Sequence, residues 1–148
     1  MSLKGLLNQG KLRPHKTSKK EINNLITMIE RDIKDSGVKG LSNDRKFATV
    51  YNAALQAATI LLYCSGYKTK GGAHHFTTFQ CVKYILGKEY RDVGEYFDSC
   101  RVKRNTADYF YAGGVSGKEV RELTDEAKLF FERVKNWVRN NYPKLLGS

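Results

Sequence analysis

Residues 48–68 read ATVYNAALQAATILLYCSGYK, and this stretch decides the fold class. Together with the preceding Phe47, it places Val50, Tyr51, Ala54, Ala58, Leu61 and Leu62 at the three- and four-residue spacing that lines one face of an α-helix. The small residues Ala53, Ala54, Ala57 and Ala58 let neighbouring helices approach closely, so the spacing predicts a central helix from about Ser42 to Gly66. Upstream, Ile22, Leu25, Ile26, Ile29 and Ile33 repeat the same period, with Ser18 and Glu21 forming a capping-box pair and Gly37 a stop. Downstream, a loop over Tyr67–Gly72 leads to Phe76, Phe79, Val82, Ile85 and Leu86, a shorter helix closed by Gly87. A fourth helix is expected from Arg91 through Tyr111, stopping at Gly113-Gly114. A fifth begins at Ser116 with a capping box to Glu119 and carries Val120, Leu123, Ala127, Phe130, Val134, Trp137 and Val138 toward Pro143. The fold class predicted is all-α, an antiparallel four- to five-helix bundle over residues 17–146, preceded by a basic arm over residues 1–16 that is loosely attached or draped on the bundle.

Composition sets the outer limits. A chain of 148 residues fits one domain and excludes a modular enzyme. With 41% hydrophobic residues it can bury a core, and its 2 prolines do not punctuate it into the short strands of a β-sandwich. Lys and Arg total 26 against 15 acids, a net charge of +11. Lys4, Lys11, Arg13, Lys16, Lys19 and Lys20 give the first twenty residues six cations and no acid, so that end carries over half the excess. Such a balance favours polyanions such as nucleic acid or nucleotides over acidic proteins at long range and says nothing of fold. Cys64, Cys81 and Cys100 form no C-x-x-C pair and read as buried thiols of a reducing compartment. The beginning of the chain lacks the apolar core of a secretion signal, and the apolar stretch Ala53–Cys64 is too short to span a bilayer. A cytoplasmic protein with no membrane partner is expected.

The candidate chemistry concentrates in residues 100–109. Counting 100° per residue from Val93 puts Tyr96, Phe97, Cys100, Ala107 and Tyr111 on one band, and Arg104 falls inside it. A guanidinium there must be paired, snorkel, or look into a cleft, since dry burial of a charge costs several kcal/mol. Asp108, at i+4, is the local partner for an intrahelical pair that would serve packing alone. Alternatively Arg101, Lys103, Arg104 and Asn105 present donors that suit phosphate oxygens. His74 and His75 follow the Gly71-Gly72 turn and either cap it or, if it folds over residues 100–109, supply a base. Adjacent histidines without a matching ligand set argue against a metal. The Gly113–Gly117 stretch lacks the strand and Lys of a phosphate loop and reads as a helix-to-helix turn, and Trp137 with Phe130 and Val134 reads as core or dimer seam. No short helix, tight turn and second helix of DNA-binding proportions occurs.

CRVKRNTADY (100–109), followed by a glycine turn and a last helix containing VKNWV (134–138), resembles the HEPN superfamily of small helical bundles. ATVYNAALQAATILLYCSGYK reads like the alanine-rich second helix of that group, and HHFTTFQ (74–80) like a feature of one bacterial branch, so the likeness spans roughly Leu12 to Tyr142. The resemblance implies a homodimer whose two motif helices share a cleft, no cofactor, and a setting in toxin-antitoxin, phage-defence or RNA-processing systems, with a cognate antitoxin or nucleotidyltransferase as possible partner. It also implies metal-independent RNA cleavage, in which the 2′-OH attacks the adjacent phosphate with help from a His while an Arg stabilises the phosphorane. Carried over by position, Arg104 matches that Arg, Asn105 its polar follower, and Tyr109 stands where the His belongs. Tyrosine, with a pKa near 10, is a poor base at neutral pH. The expected consequence is anion binding with weak or absent cleavage, and the competing expectation is a non-catalytic module that uses the bundle surface for protein contact.

Overall fold

The computed structural model describes residues 2–109 and 113–147, with the backbone alone for residues 107–109. It is mostly helical, with one small two-stranded sheet. In chain order the elements are α1 (Leu3–Asn8), β1 (Leu12–Pro14), α2 (Lys19–Asp35), α3 (Asn43–Cys64), β2 (Tyr67–Thr69), α4 (His74–Gln80), α5 (Val82–Leu86), α6 (Arg91–Tyr109) and α7 (Gly117–Asn141).

The 22-residue α3 is the axis of the molecule and packs against α2, α7, α6, α4 and α5. Phe47, Val50, Tyr51, Ala54, Ala57, Ile60 and Leu61 are all buried, on more than one side of the helix, as befits a helix enclosed by others. By length and mean hydropathy (1.3) α3 could cross a bilayer, longer than the apolar stretch alone suggests, but 61% of its apolar window is buried inside the fold. The core continues through Ile22 and Ile29 of α2, Phe79 and Val82, Phe97 of α6, and Leu123, Phe130 and Val134 of α7. Trp137 packs at its edge, its ring 5.4 Å from that of Tyr142.

The helix ends follow their caps. Ser116 and Glu119 close a reciprocal capping box on α7 at 3.1 and 3.0 Å. At α2 the box is only half made: Ser18 Oγ accepts from Glu21 N, but the Glu21 carboxylate turns away to His15 Nε2 (2.6 Å) and Thr17 Oγ1 (2.7 Å). Burial would raise the Glu21 carboxyl, yet the hydrogen bonds from His15 and Thr17 outweigh it and hold the pKa below the usual value.

Two expectations change, and one left open is decided. The basic segment 1–16 is the draped alternative: Leu6 and Leu12 are 0% and 1% exposed, packing on Leu62 and Cys81, because its few leucines find an apolar seat under α5. The expected loop 67–72 begins with β2, which pairs antiparallel with β1 in the register Leu12↔Thr69, Arg13↔Lys68, Pro14↔Tyr67. The third helix starts at His74, where the two histidines are expected to open it, but is interrupted at Cys81 into α4 and α5. The fourth helix is described to Tyr109, and its expected continuation to Tyr111 lies outside the described residues.

Candidate functional site

α6 carries Asp98, Arg101, Arg104 and Asn105 at three- and four-residue intervals, which puts them on one face. Opposite lies the start of α4, swung into place by a turn in which Ala73 takes a left-handed backbone (φ +57°) after Gly71 (φ +81°). Gly94 lets the helices meet backbone to backbone, for a Cβ there would stand 2.7 Å from the Phe79 carbonyl oxygen. The result is an open groove of about 730 Å³ lined by Ala73, His74, His75, Phe76, Arg101, Arg104 and Asn105. Two histidines and two arginines some thirty residues apart in sequence thus share a cleft, as they would if the Gly71-Gly72 turn folded over residues 100–109.

The polar side chains of the groove are held. Arg101 Nε donates to Asp98 Oδ1 at 2.7 Å, and that bond raises the guanidinium pKa further. Arg104 Nη1 donates to Asn105 Oδ1 at 3.3 Å, and its guanidinium carbon lies 5.4 Å from the centroid of the Tyr51 ring. His74 Nδ1 shares a 2.9 Å hydrogen bond with Thr69 Oγ1, which ties the groove to β2. His75 Nδ1 lies 2.9 Å from the hydroxyl of Tyr51, which is 0% exposed.

The Tyr51–His75 pair fixes a proton. Burial drives the Tyr51 pKa well above its ordinary value, so the hydroxyl stays protonated despite the opposing fields of Arg104 and Arg101. Burial, then the charges of Arg104 and Arg101, push the His75 pKa below its ordinary 6.5, so the ring is neutral at pH 7. A buried hydroxyl must place its hydrogen on an acceptor, and His75 Nδ1 is at hand. With Tyr51 as the donor, the ring's own hydrogen is assigned to Nε2, and His75 is then a donor there rather than a lone pair.

Lys103 is not part of this site. It stands 200° around the helix from Arg101, and its Nζ meets Glu119 Oε2 of α7 at 3.1 Å, beside a separate cavity lined by Tyr96, Cys100 and Glu122. The side chains of Asp108 and Tyr109 lie outside the described residues, so the expected Arg104–Asp108 pair and the position given to the motif histidine do too. Cys64, Cys81 and Cys100 are buried, and burial pushes their thiols up to about 12, 12 and 11, far from a reactive thiolate. Among the described residues no group of three or more His, Cys, Asp or Glu could hold a metal. The glycine stretch after α6 is the expected turn, with Gly113 (φ +81°) donating its N–H to Asp44 Oδ2 at the start of α3 (2.6 Å).

Sequence reading missed a further basic surface. Strand alternation puts Arg13 and Lys68, paired across the ribbon, on the face opposite the buried Leu12. Lys11 and Lys70, joined by the Lys70 N to Lys11 O hydrogen bond (2.8 Å), continue that face. The Thr69 side chain that bonds His74 is on the other face, with Leu12, and the field of Lys68 reaches the Glu21 carboxylate. The charges were visible in the sequence, but their shared face depends on a pairing between segments more than fifty residues apart.

Compared with family models, curated proteins and solved structures, the chain matches none of them.

Proposed function

We propose that the chain is a HEPN-like, homodimeric, cytoplasmic RNA- or nucleotide-binding protein whose groove between α4 and α6 holds a phosphate without cleaving the strand. One observation carries this reading: Arg101, Arg104, His74 and His75 line one open groove, and the Nδ1 atoms of both histidines are already engaged, by Thr69 and by Tyr51. Guanidinium and imidazole donors suit phosphate oxygens. Transesterification also needs a group to take the 2′-OH proton, and His75 in this tautomer is a donor. Asn105, bonded to Arg104, orients the guanidinium.

The test is binding of a short single-stranded RNA at two ionic strengths by the full chain and by Arg104→Ala. Affinity should fall steeply with salt and drop about tenfold in the variant, the loss of one charge-assisted contact. Incubation with mixed RNA in EDTA decides the enzymatic version, a metal-independent endoribonuclease leaving a 2′,3′-cyclic phosphate: Arg104-dependent fragments would restore it. The exposed Leu129 (68%) of α7 and Val102 (53%) of α6 favour a second reading, a module that docks on a protein such as a nucleotidyltransferase. RNA affinity independent of both salt and Arg104 would leave that one standing.

A further inference from the structure

Beside the groove, and sharing Phe76 with it, lies a smaller chamber of about 170 Å³ lined by Phe79, Gly94, Gln80, Glu95, Asp98 and the cations Lys83 and Arg91. Phe76 borders both spaces and is 43% exposed, a large ring left open on a polar rim. Asp98 belongs to the chamber and also grips Arg101, which belongs to the groove. Gln80 Oε1 is shielded from water and accepts no hydrogen bond, a costly state for an amide oxygen. Its terminal torsion is soft, so a small turn presents that oxygen to the chamber. A flat apolar face beside one unspent acceptor, next to a cationic groove, calls for a ligand with a π face, an edge donor and an anionic tail.

We propose that this chamber is a nucleobase subsite: a base stacks on Phe76, points an exocyclic amine at Gln80 Oε1, and leaves its phosphate on Arg101 and Arg104. The assignment rests on the groove holding phosphate, and it narrows the ligand to a nucleotide unit, favouring cytosine over uracil because uracil turns a second acceptor, O4, toward the glutamine oxygen where cytosine turns its amine. Stacking on an aromatic ring is commonly worth about a decade of affinity or more and tolerates any base, so Gln80 alone supplies the preference.

The experiment titrates CMP, UMP and ribose 5-phosphate into the full chain by calorimetry at low salt. CMP should bind about tenfold more tightly than ribose 5-phosphate. Phe76→Ala should erase that ratio and Phe76→Tyr restore it. CMP should exceed UMP by about threefold, and Gln80→Leu, which keeps the volume and removes the acceptor, should level the two. If ribose 5-phosphate binds through Arg104 but the bases add nothing, the subsite is refuted while the groove stands. If none of the three binds, both readings fall. A Phe76→Ala protein that keeps the ratio, or that instead changes its sedimentation as a dimer would on losing its seam, also overturns the subsite.

Discussion

Removing one oxygen tests the proton assignment on which the non-cleaving reading depends. Tyr51→Phe deletes the hydroxyl that lies 2.9 Å from His75 Nδ1 and keeps the ring that Arg104 faces at 5.4 Å, so the arginine should stay in place. A neutral hydrogen bond contributes about 1 kcal/mol net, and because His75 is only half-buried its freed nitrogen can take water, so the loss should not exceed that. For a chain of this length about 1 kcal/mol corresponds to a Tm lower by roughly 3 °C, readable by calorimetry or circular dichroism. The sharper readout is the imidazole itself. In the parent protein at pH 7, nitrogen chemical shifts should show Nδ1 bare and Nε2 protonated, and Tyr51→Phe should give a mixture of tautomers. The variant would then expose a lone pair at Nε2 part of the time, so any RNA cleavage should rise rather than fall. A parent ring protonated on Nδ1 would refute the reasoning, for the tyrosine would then be the acceptor and His75 a base aimed at the groove.

Other consequences can be measured as directly. A phosphodiester on Arg101 and Arg104 cancels part of the field that depresses His75, so its pKa is higher in the complex than in the free protein; RNA affinity should therefore increase as pH falls below neutrality, by at most about one decade per pH unit for one proton. His75→Ala should flatten that profile. Gly94→Ala forces a Cβ to within 2.7 Å of the Phe79 oxygen, so it should cost about 1–3 kcal/mol in thermal unfolding and weaken nucleotide binding by moving α4 off α6. Replacing Lys11, Arg13, Lys68 and Lys70 by Gln should reduce the slope of log affinity against log salt for single-stranded RNA by up to about 2.8, four contacts at about 0.7 each, whereas Lys103→Gln should leave it unchanged.

What could be read from the chain beforehand follows the range of the interactions. The 3.6-residue period of α2, α3 and α7 is local, and so are the serines that cap them, and those elements stand where the pattern put them. The half-made box at Ser18 escaped because Glu21 has a better offer from His15 and Thr17, a competition that spacing does not display. The break at Cys81 escaped because the apolar residues on both sides keep the same period while the chain bends between them. At the groove, residue types were legible and neighbours were not. Arg104 inside an apolar stripe left a pair, a snorkelling side chain or a cleft open, and Tyr51, whose hydroxyl meets His75, reads from sequence as one more core aromatic of the alanine-rich helix. Lys103 was grouped with Arg101 by nearness in sequence, and a two-residue step on a helix sends it to the far side.

The β1–β2 ribbon has a bearing on how the molecule assembles and comes apart. Leu12 and Thr69 are partners from distant parts of the chain, so their closure carries a larger entropic toll than any helical turn and belongs late in folding. Once closed, Arg13 and Lys68 repel each other across it. The first sixteen residues are thus the segment with most to gain from a bound polyanion, and a protease that trims them slowly in its absence should be held off when RNA is present.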